Sequence, residues 1–109
     1  MQYHRVADTA ELGVGTMKKV TVAGQEVLLA NVDGSYYAIA NKCTHLGGSL
    51  ANGTLKGSVV SCPRHGAQFD VKTGESVGAA TILVIKQKPK DTQTYAVKVE
   101  GTSIMVGIP

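Results

Sequence analysis

Asp33-Gly34 stands between two β-rich runs, Glu26 to Val32 and Tyr36-Tyr37-Ala38-Ile39, and it constrains the chain more than any other local feature. A type I′ turn needs positive φ at both central positions, and Asp-Gly tolerates this, so the flanking runs are expected to pair as an antiparallel hairpin. The device recurs. Val20-Thr21-Val22 leads into Ala23-Gly24-Gln25, and Tyr95 to Val99 meets Ser103 to Val106 across Glu100-Gly101-Thr102. Val59-Val60-Ser61 and Gln68-Phe69-Asp70-Val71 are further expected strands, the second closed by Lys72-Thr73-Gly74. Helical signal is confined to Asp8 to Leu12, with Asp8 or Thr9 as N-cap and Glu11 in the first turn, enough for one turn. Many short strands with frequent Gly turns predict an all-β chain, an antiparallel sandwich or small barrel.

A length of 109 residues fits one domain spanning 1–109. With no Trp and a single Phe, the core must come from aliphatic residues, Tyr and backbone packing. The net charge of +3, from 11 basic against 8 acidic residues, is too mild for a nucleic-acid binder. The longest apolar run, Tyr36 to Ala40, is far short of the roughly 20 residues of a membrane helix. Met1 to Asp8 contains no apolar stretch of the kind a secretion signal needs, so a cytoplasmic location is expected. In that reducing compartment a structural disulfide is not expected. Lys86-Gln87-Lys88-Pro89-Lys90-Asp91 reads as an exposed, solvated loop, and His4 as a surface residue.

The residues that carry chemistry are Cys43-Thr44-His45 and Cys62-Pro63-Arg64-His65-Gly66, with sixteen residues between His45 and Cys62. Taken singly, each Cys or His is more simply a buried thiol or a surface imidazole. That reading does not explain why every Cys in the chain is followed by a His two or three places later. Each pair lies in a loop after a β run, so two loops at one end of a sheet could bring four ligands together. Two Cys and two His can hold Zn²⁺, but zinc fingers usually segregate Cys-Cys from His-His and close on a helix. A two-iron cluster with both cysteines on one iron and both histidines on the other suits one Cys and one His per loop.

The pattern Cys43-x-His45-x16-Cys62-x-x-His65 resembles the Rieske [2Fe–2S] ferredoxin family, in its low-potential branch. Thr44, Leu46-Gly47-Gly48, Pro63, Gly66, Phe69-Asp70 and Thr73-Gly74-Glu75 support the match. The resemblance implies an antiparallel Rieske-type β-sandwich with a small cluster-binding subdomain formed by two loops, 43–48 and 62–67. It implies one cluster per chain, with Cys43 and Cys62 on an inner iron and His45 and His65 on an outer iron near the surface. Neutral imidazoles in place of two thiolates leave the oxidised cluster formally neutral, so it accepts an electron more readily than an all-cysteine cluster. Reduction is then expected to become proton-linked once the pH passes the oxidised-state histidine pKa values.

Two departures from the high-potential branch of the family, and a third from the family at large, shape these expectations. Respiratory-complex Rieske proteins carry an extra disulfide between the ligand loops, and here the corresponding positions are Gly48 and Arg64. Those proteins also place Ser and Tyr hydroxyls near cluster sulfur, where this chain has Ala67 and Phe69. Fewer bonds to sulfur stabilise the reduced state less, so a low Rieske potential is expected. The family's covering Gly-Pro-Ala corresponds to Val77-Gly78-Ala79-Ala80, followed by extra residues over 81–92. Arg64 can either guide an acidic partner or stand as an ordinary exposed Arg.

The resemblance implies a soluble one-electron carrier rather than an enzyme. It would shuttle electrons from a reductase to a terminal oxidoreductase, an oxygenase by family analogy, with no nucleic-acid or membrane partner. The alternatives are a small accessory subunit of a nitrite-reductase-like enzyme and a zinc-stabilised structural module.

Overall fold

The computed structural model describes residues 1–42, 49–63, 66–78, 80–82, 85–87 and 91–109. Its strands are β1 (Gln2–Asp8), β2 (Met17–Val22), β3 (Gln25–Val32), β4 (Ser35–Ala40), β5 (Thr54–Lys56), β6 (Val59–Ser61), β7 (Gln68–Asp70), β8 (Ser76–Gly78), β9 (Ala80–Ile82), β10 (Ile85–Gln87), β11 (Thr94–Glu100) and β12 (Ser103–Ile108). All the pairings are antiparallel. Single 3₁₀ turns, Thr9–Glu11 and Leu50–Asn52, are the helical elements among the described residues. None of these is long and apolar enough to cross a membrane.

The large sheet has the order β1-β12-β11-β4-β3-β2. β4 and β11 pair only at Ile39 with Thr94 and Ala38 with Tyr95. That short seam lets the sheet fold over into two three-stranded faces. Ala7 of β1, Val20 and Val22 of β2, Val27 and Leu29 of β3, and Ile104 and Val106 of β12 form one apolar cluster. The two edge strands thus share an interior, as the expected sandwich requires.

β3 decides the rest of the architecture. Val27, Leu28, Leu29 and Ala30 are all buried, so the strand shows no alternation. A strand buried on both faces reads as a continuous apolar run. Val27 and Leu29 face the sandwich interior. Leu28, Ala30 and Val32 face a second cluster, built with Ile39, Leu50, Val60, Cys62, Ala67, Phe69 and Val71. Burying each large apolar side chain contributes roughly 1.5–3 kcal/mol, so this face fastens the small sheet β5-β6-β7-β8 to the sandwich.

The turns explain the registers. Asp33 and Gly34 have φ of 53° and 91°, and Val32 pairs with Ser35, the type I′ geometry expected of this dipeptide. The Ala23-Gly24-Gln25 turn is shorter than expected. Gln25 already pairs with Val22, leaving Ala23 and Gly24 as a two-residue loop with φ of 49° and 79°. At the last hairpin only Gly101 has positive φ and Glu100 pairs with Ser103, the Gly-X pattern of a type II′ turn.

Asp8 is the N-cap of the first 3₁₀ turn. It accepts a bond from the Ala10 N–H at 2.9 Å while Glu11 accepts from the Asp8 N–H at 3.3 Å, a reciprocal capping box.

The segment 86–91 corrects the loop expectation. Lys86 and Gln87 lie in β10, paired with Thr81 and Ala80 of β9, so the extra residues contain a hairpin. β-pairing of the backbone overrides the loop-like Lys/Pro composition. Residues 88–90 lie outside the described residues. At the base of this insertion Asp91 accepts from the Ser76 N–H at 2.9 Å, and the Thr92 N–H donates to the Gly74 carbonyl at 2.8 Å.

The capping box makes stability acid-sensitive in a defined direction. The Ala10 N–H, then the Thr102 hydroxyl and Arg5, hold the Asp8 carboxyl below its usual range. Lys18, whose ammonium lies 2.8 Å from Glu11, and the Asp8 N–H do the same for Glu11. Depressed folded-state values mean stability that is present above the ordinary carboxylate range, about 4, and lost as pH falls through the folded values. Asp8→Asn keeps a cap acceptor and removes the titration. Its urea midpoint should depend less on pH between about 5 and 3 than that of the parent, and equal slopes would contradict this.

Candidate functional site

The segment 62–67, expected to be the second ligand loop, starts where β6 ends. Ser61 pairs with Gln68, and the Cys62 N–H donates to the Ala67 carbonyl at 2.7 Å, closing the neck of loop 62–67. The two-residue period of a strand places Cys62 on the face of Val60, and Ala67 on the face of Phe69. That face is the buried one. Cys62 is a free thiol, 4% exposed, packed with Leu50, Val60, Ala67 and Phe69. Pro63 and Gly66, further out along the loop, are exposed, and Gly66 has φ of 74°. The loop therefore passes from an apolar, desolvated root to solvent within a few residues.

Lys42 and Ser49, which flank the segment 43–48 expected to be the first ligand loop, form an isolated bridge. Asn41, 1% exposed, ties the two ends together. Its side-chain Nδ2 donates to Ser49 Oγ at 2.8 Å, its Oδ1 accepts from the Ala51 N–H at 2.9 Å, and its carbonyl accepts from the Leu50 N–H at 2.8 Å. The chain then makes the 3₁₀ turn Leu50–Asn52 and enters β5.

β5 ties the segment that resumes at Ser49 to the strand before Cys62. Thr54, which follows the 3₁₀ turn, pairs with Ser61. Gly53 packs directly against the Ser61 backbone, and a Cβ there would run into the Ser61 carbonyl. Its φ of −90° suits any residue, so glycine is required here by space alone. Leu50, fully buried, reaches across to the cluster that holds Cys62.

Of the four residues expected from the sequence to be ligands, Cys62 is among the described residues. Cys43, His45 and His65 lie outside the described residues, as do Gly48, Arg64 and Ala79. The described part fits an iron–sulfur group in the chemistry of its donor: a free, buried thiol at an apolar loop root, beside the neck of a second loop that carries the other Cys. Ala67 and Phe69 are both fully buried beside Cys62, and neither supplies a hydroxyl to this face. His4 sits in β1, remote in the chain from both loops.

Sequence reasoning missed Asn41, Ser49, Leu50 and Gly53. The signal was present for one of them. Asn52-Gly53 looks like a hairpin turn, yet Gly53 serves close backbone approach rather than positive φ.

Comparison with known proteins agrees with this geometry. Residues 2–89 match the Rieske [2Fe–2S] domain family. The ferredoxin component of the naphthalene 1,2-dioxygenase system of Pseudomonas aeruginosa is 38% identical over 98 residues, covering 90% of this chain and 88% of the relative. The ferredoxin of carbazole 1,9a-dioxygenase from Nocardioides aromaticivorans IC177 superposes with a TM-score of 0.84 at 33% identity, with full coverage of both chains. A chain in the complex of reduced oxygenase and oxidized ferredoxin in carbazole 1,9a-dioxygenase gives a TM-score of 0.79 at 28% identity, covering 95% of this chain and 91% of that one.

Gly53→Val tests the packing of the two necks. Overpacking of this kind destabilises by about 1–3 kcal/mol, and here it also pushes β5 away from β6. The urea midpoint should fall and iron content should fall with it. A variant with parental stability and iron content would refute the close-approach role.

Proposed function

This chain belongs to the Rieske [2Fe–2S] domain family, and from that premise we infer that it is a one-electron carrier, the ferredoxin component of an oxygenase system. Residues 1–109 act as one Rieske unit. Loops 43–48 and 62–67 would hold the cluster, with Cys43 and Cys62 as the thiolate ligands and His45 and His65 as the imidazole ligands. When bound, the cluster supplies a single reversible electron. The chain's own residues do the rest. Cys62 and its apolar neighbours Leu50, Val60 and Phe69 keep water from the inner side. The exposed flanks Pro63 and Gly66 support a partner-facing position for the outer side.

The observation that supports this reading is the pairing of Thr54 with Ser61, which ties the segment resuming at Ser49 to the strand that leads into Cys62. A reductase is the proposed donor and a terminal oxygenase the proposed acceptor. Support for the acceptor comes from a likeness to a chain in an oxygenase–ferredoxin complex. A cytoplasmic location completes the reading.

Cys62→Ser should yield protein without iron or labile sulfide, because a neutral hydroxyl does not replace a thiolate. Retention of both would refute the ligand assignment. The parent should titrate as a one-electron couple near the lower Rieske limit, roughly −150 mV, since Ala67 and Phe69 offer no hydroxyl to sulfur. Ala67→Ser and Phe69→Tyr should each raise the midpoint. A parental midpoint above about +100 mV would contradict the account.

A further inference from the structure

Asn41 is buried, and all of its polar groups are occupied. Its N–H donates to the Glu26 carbonyl at 3.1 Å, which fixes it to β3. The other three bonds, to Ser49 Oγ and to the N–H groups of Leu50 and Ala51, all go to the segment that resumes after the first ligand loop. Among the described residues the β-pairing of this return is one isolated bridge, Lys42 with Ser49. The Asn41 side chain adds two bonds to the one its backbone carbonyl makes, and so helps to set the register of the return. What it delivers is specific: Leu50 is carried into the cluster that surrounds Cys62.

We propose that Asn41 is a positioning residue for the iron–sulfur site, setting the spacing between the first ligand loop and Cys62. The inference rests on the reading of Cys43, His45, Cys62 and His65 as ligands. Asn41 acts through the chain segments on which those ligands ride and touches no reacting atom in this role. A burial-driven role alone would be met by any well-packed residue of the same size. A positioning role requires the donor to Ser49 and the acceptor for Ala51 together. Leucine has the branched outline of asparagine but is bulkier and supplies neither, so Asn41→Leu removes both bonds and the serine variants separate their loss from the change in packing. Ser49→Ala removes only the bond from Nδ2, and Ser49→Thr retains a hydroxyl acceptor at the same place.

The experiment uses the full-length holoprotein and these three variants. Far-UV circular dichroism checks the fold. The readouts are iron release to a chelator, the midpoint potential and the reduced-state EPR spectrum. Asn41→Leu should release iron at least about tenfold faster, the factor equivalent to one buried hydrogen bond, with an altered spread of g values. Ser49→Ala should lie between it and the parent, and Ser49→Thr should return to the parental rate. The proposal is overturned if the folded variants release iron at the parental rate with unchanged spectra and potential. It is equally overturned if they lose only thermal stability. Should Asn41→Leu fail to fold, the contrast between Ser49→Ala and Ser49→Thr decides the matter. Parental protein devoid of iron and sulfide would instead refute the ligand assignment, and with it the ground for this role.

Discussion

The structure depends on β3 being buried on both faces. A single strand supplies Val27 and Leu29 to the sandwich interior and Leu28, Ala30 and Val32 to the face that receives the small sheet. In a chain with no Trp and one Phe, this double use gives both layers a core. The single Phe is spent where it matters most: Phe69 is fully buried beside Cys62, at the junction between scaffold and site. Removing a ring from such a position leaves a cavity, a change of about 3–5 kcal/mol for Phe→Ala in close-packed cores.

Among the described residues, the segments that flank 43–48 and 62–67 are fixed at their ends. A hairpin bond between Cys62 and Ala67 closes one loop, and the Asn41 side chain with one β-bridge closes the other. The close packing of Gly53 on Ser61 then sets one neck against the other. This division suits a redox carrier. The root stays dry and well packed, while the outer flanks Pro63 and Gly66 remain accessible. Ala67 and Phe69, buried beside Cys62, carry no hydroxyl, in keeping with the low potential expected of the centre.

Much of this was legible in the sequence because local chemistry decided it. Asp33-Gly34 and Gly101 set hairpin turns that need positive φ, and the observed angles agree. The Asp8 cap with Glu11 was readable as a single helical turn. The Cys-x-His and Cys-x-x-His spacing pointed to the family that residues 2–89 match. What was not legible depended on distant partners. β1 has an unremarkable polar pattern and becomes a strand by pairing with β12, some hundred residues away in sequence. β5 is three residues long and exists through β6. Lys86 and Gln87 look like loop and pair as β10. Asn41 resembles an ordinary loop asparagine until its partners Ser49 and Ala51 are known.

Pulsed EPR on the reduced protein grown with ¹⁵N-histidine tests the central claim most directly. The account predicts a signal whose average g lies below the free-electron value, with strong hyperfine coupling to two histidine nitrogens. A signal lacking nitrogen coupling, or a colourless protein with no signal and stoichiometric zinc, would contradict it.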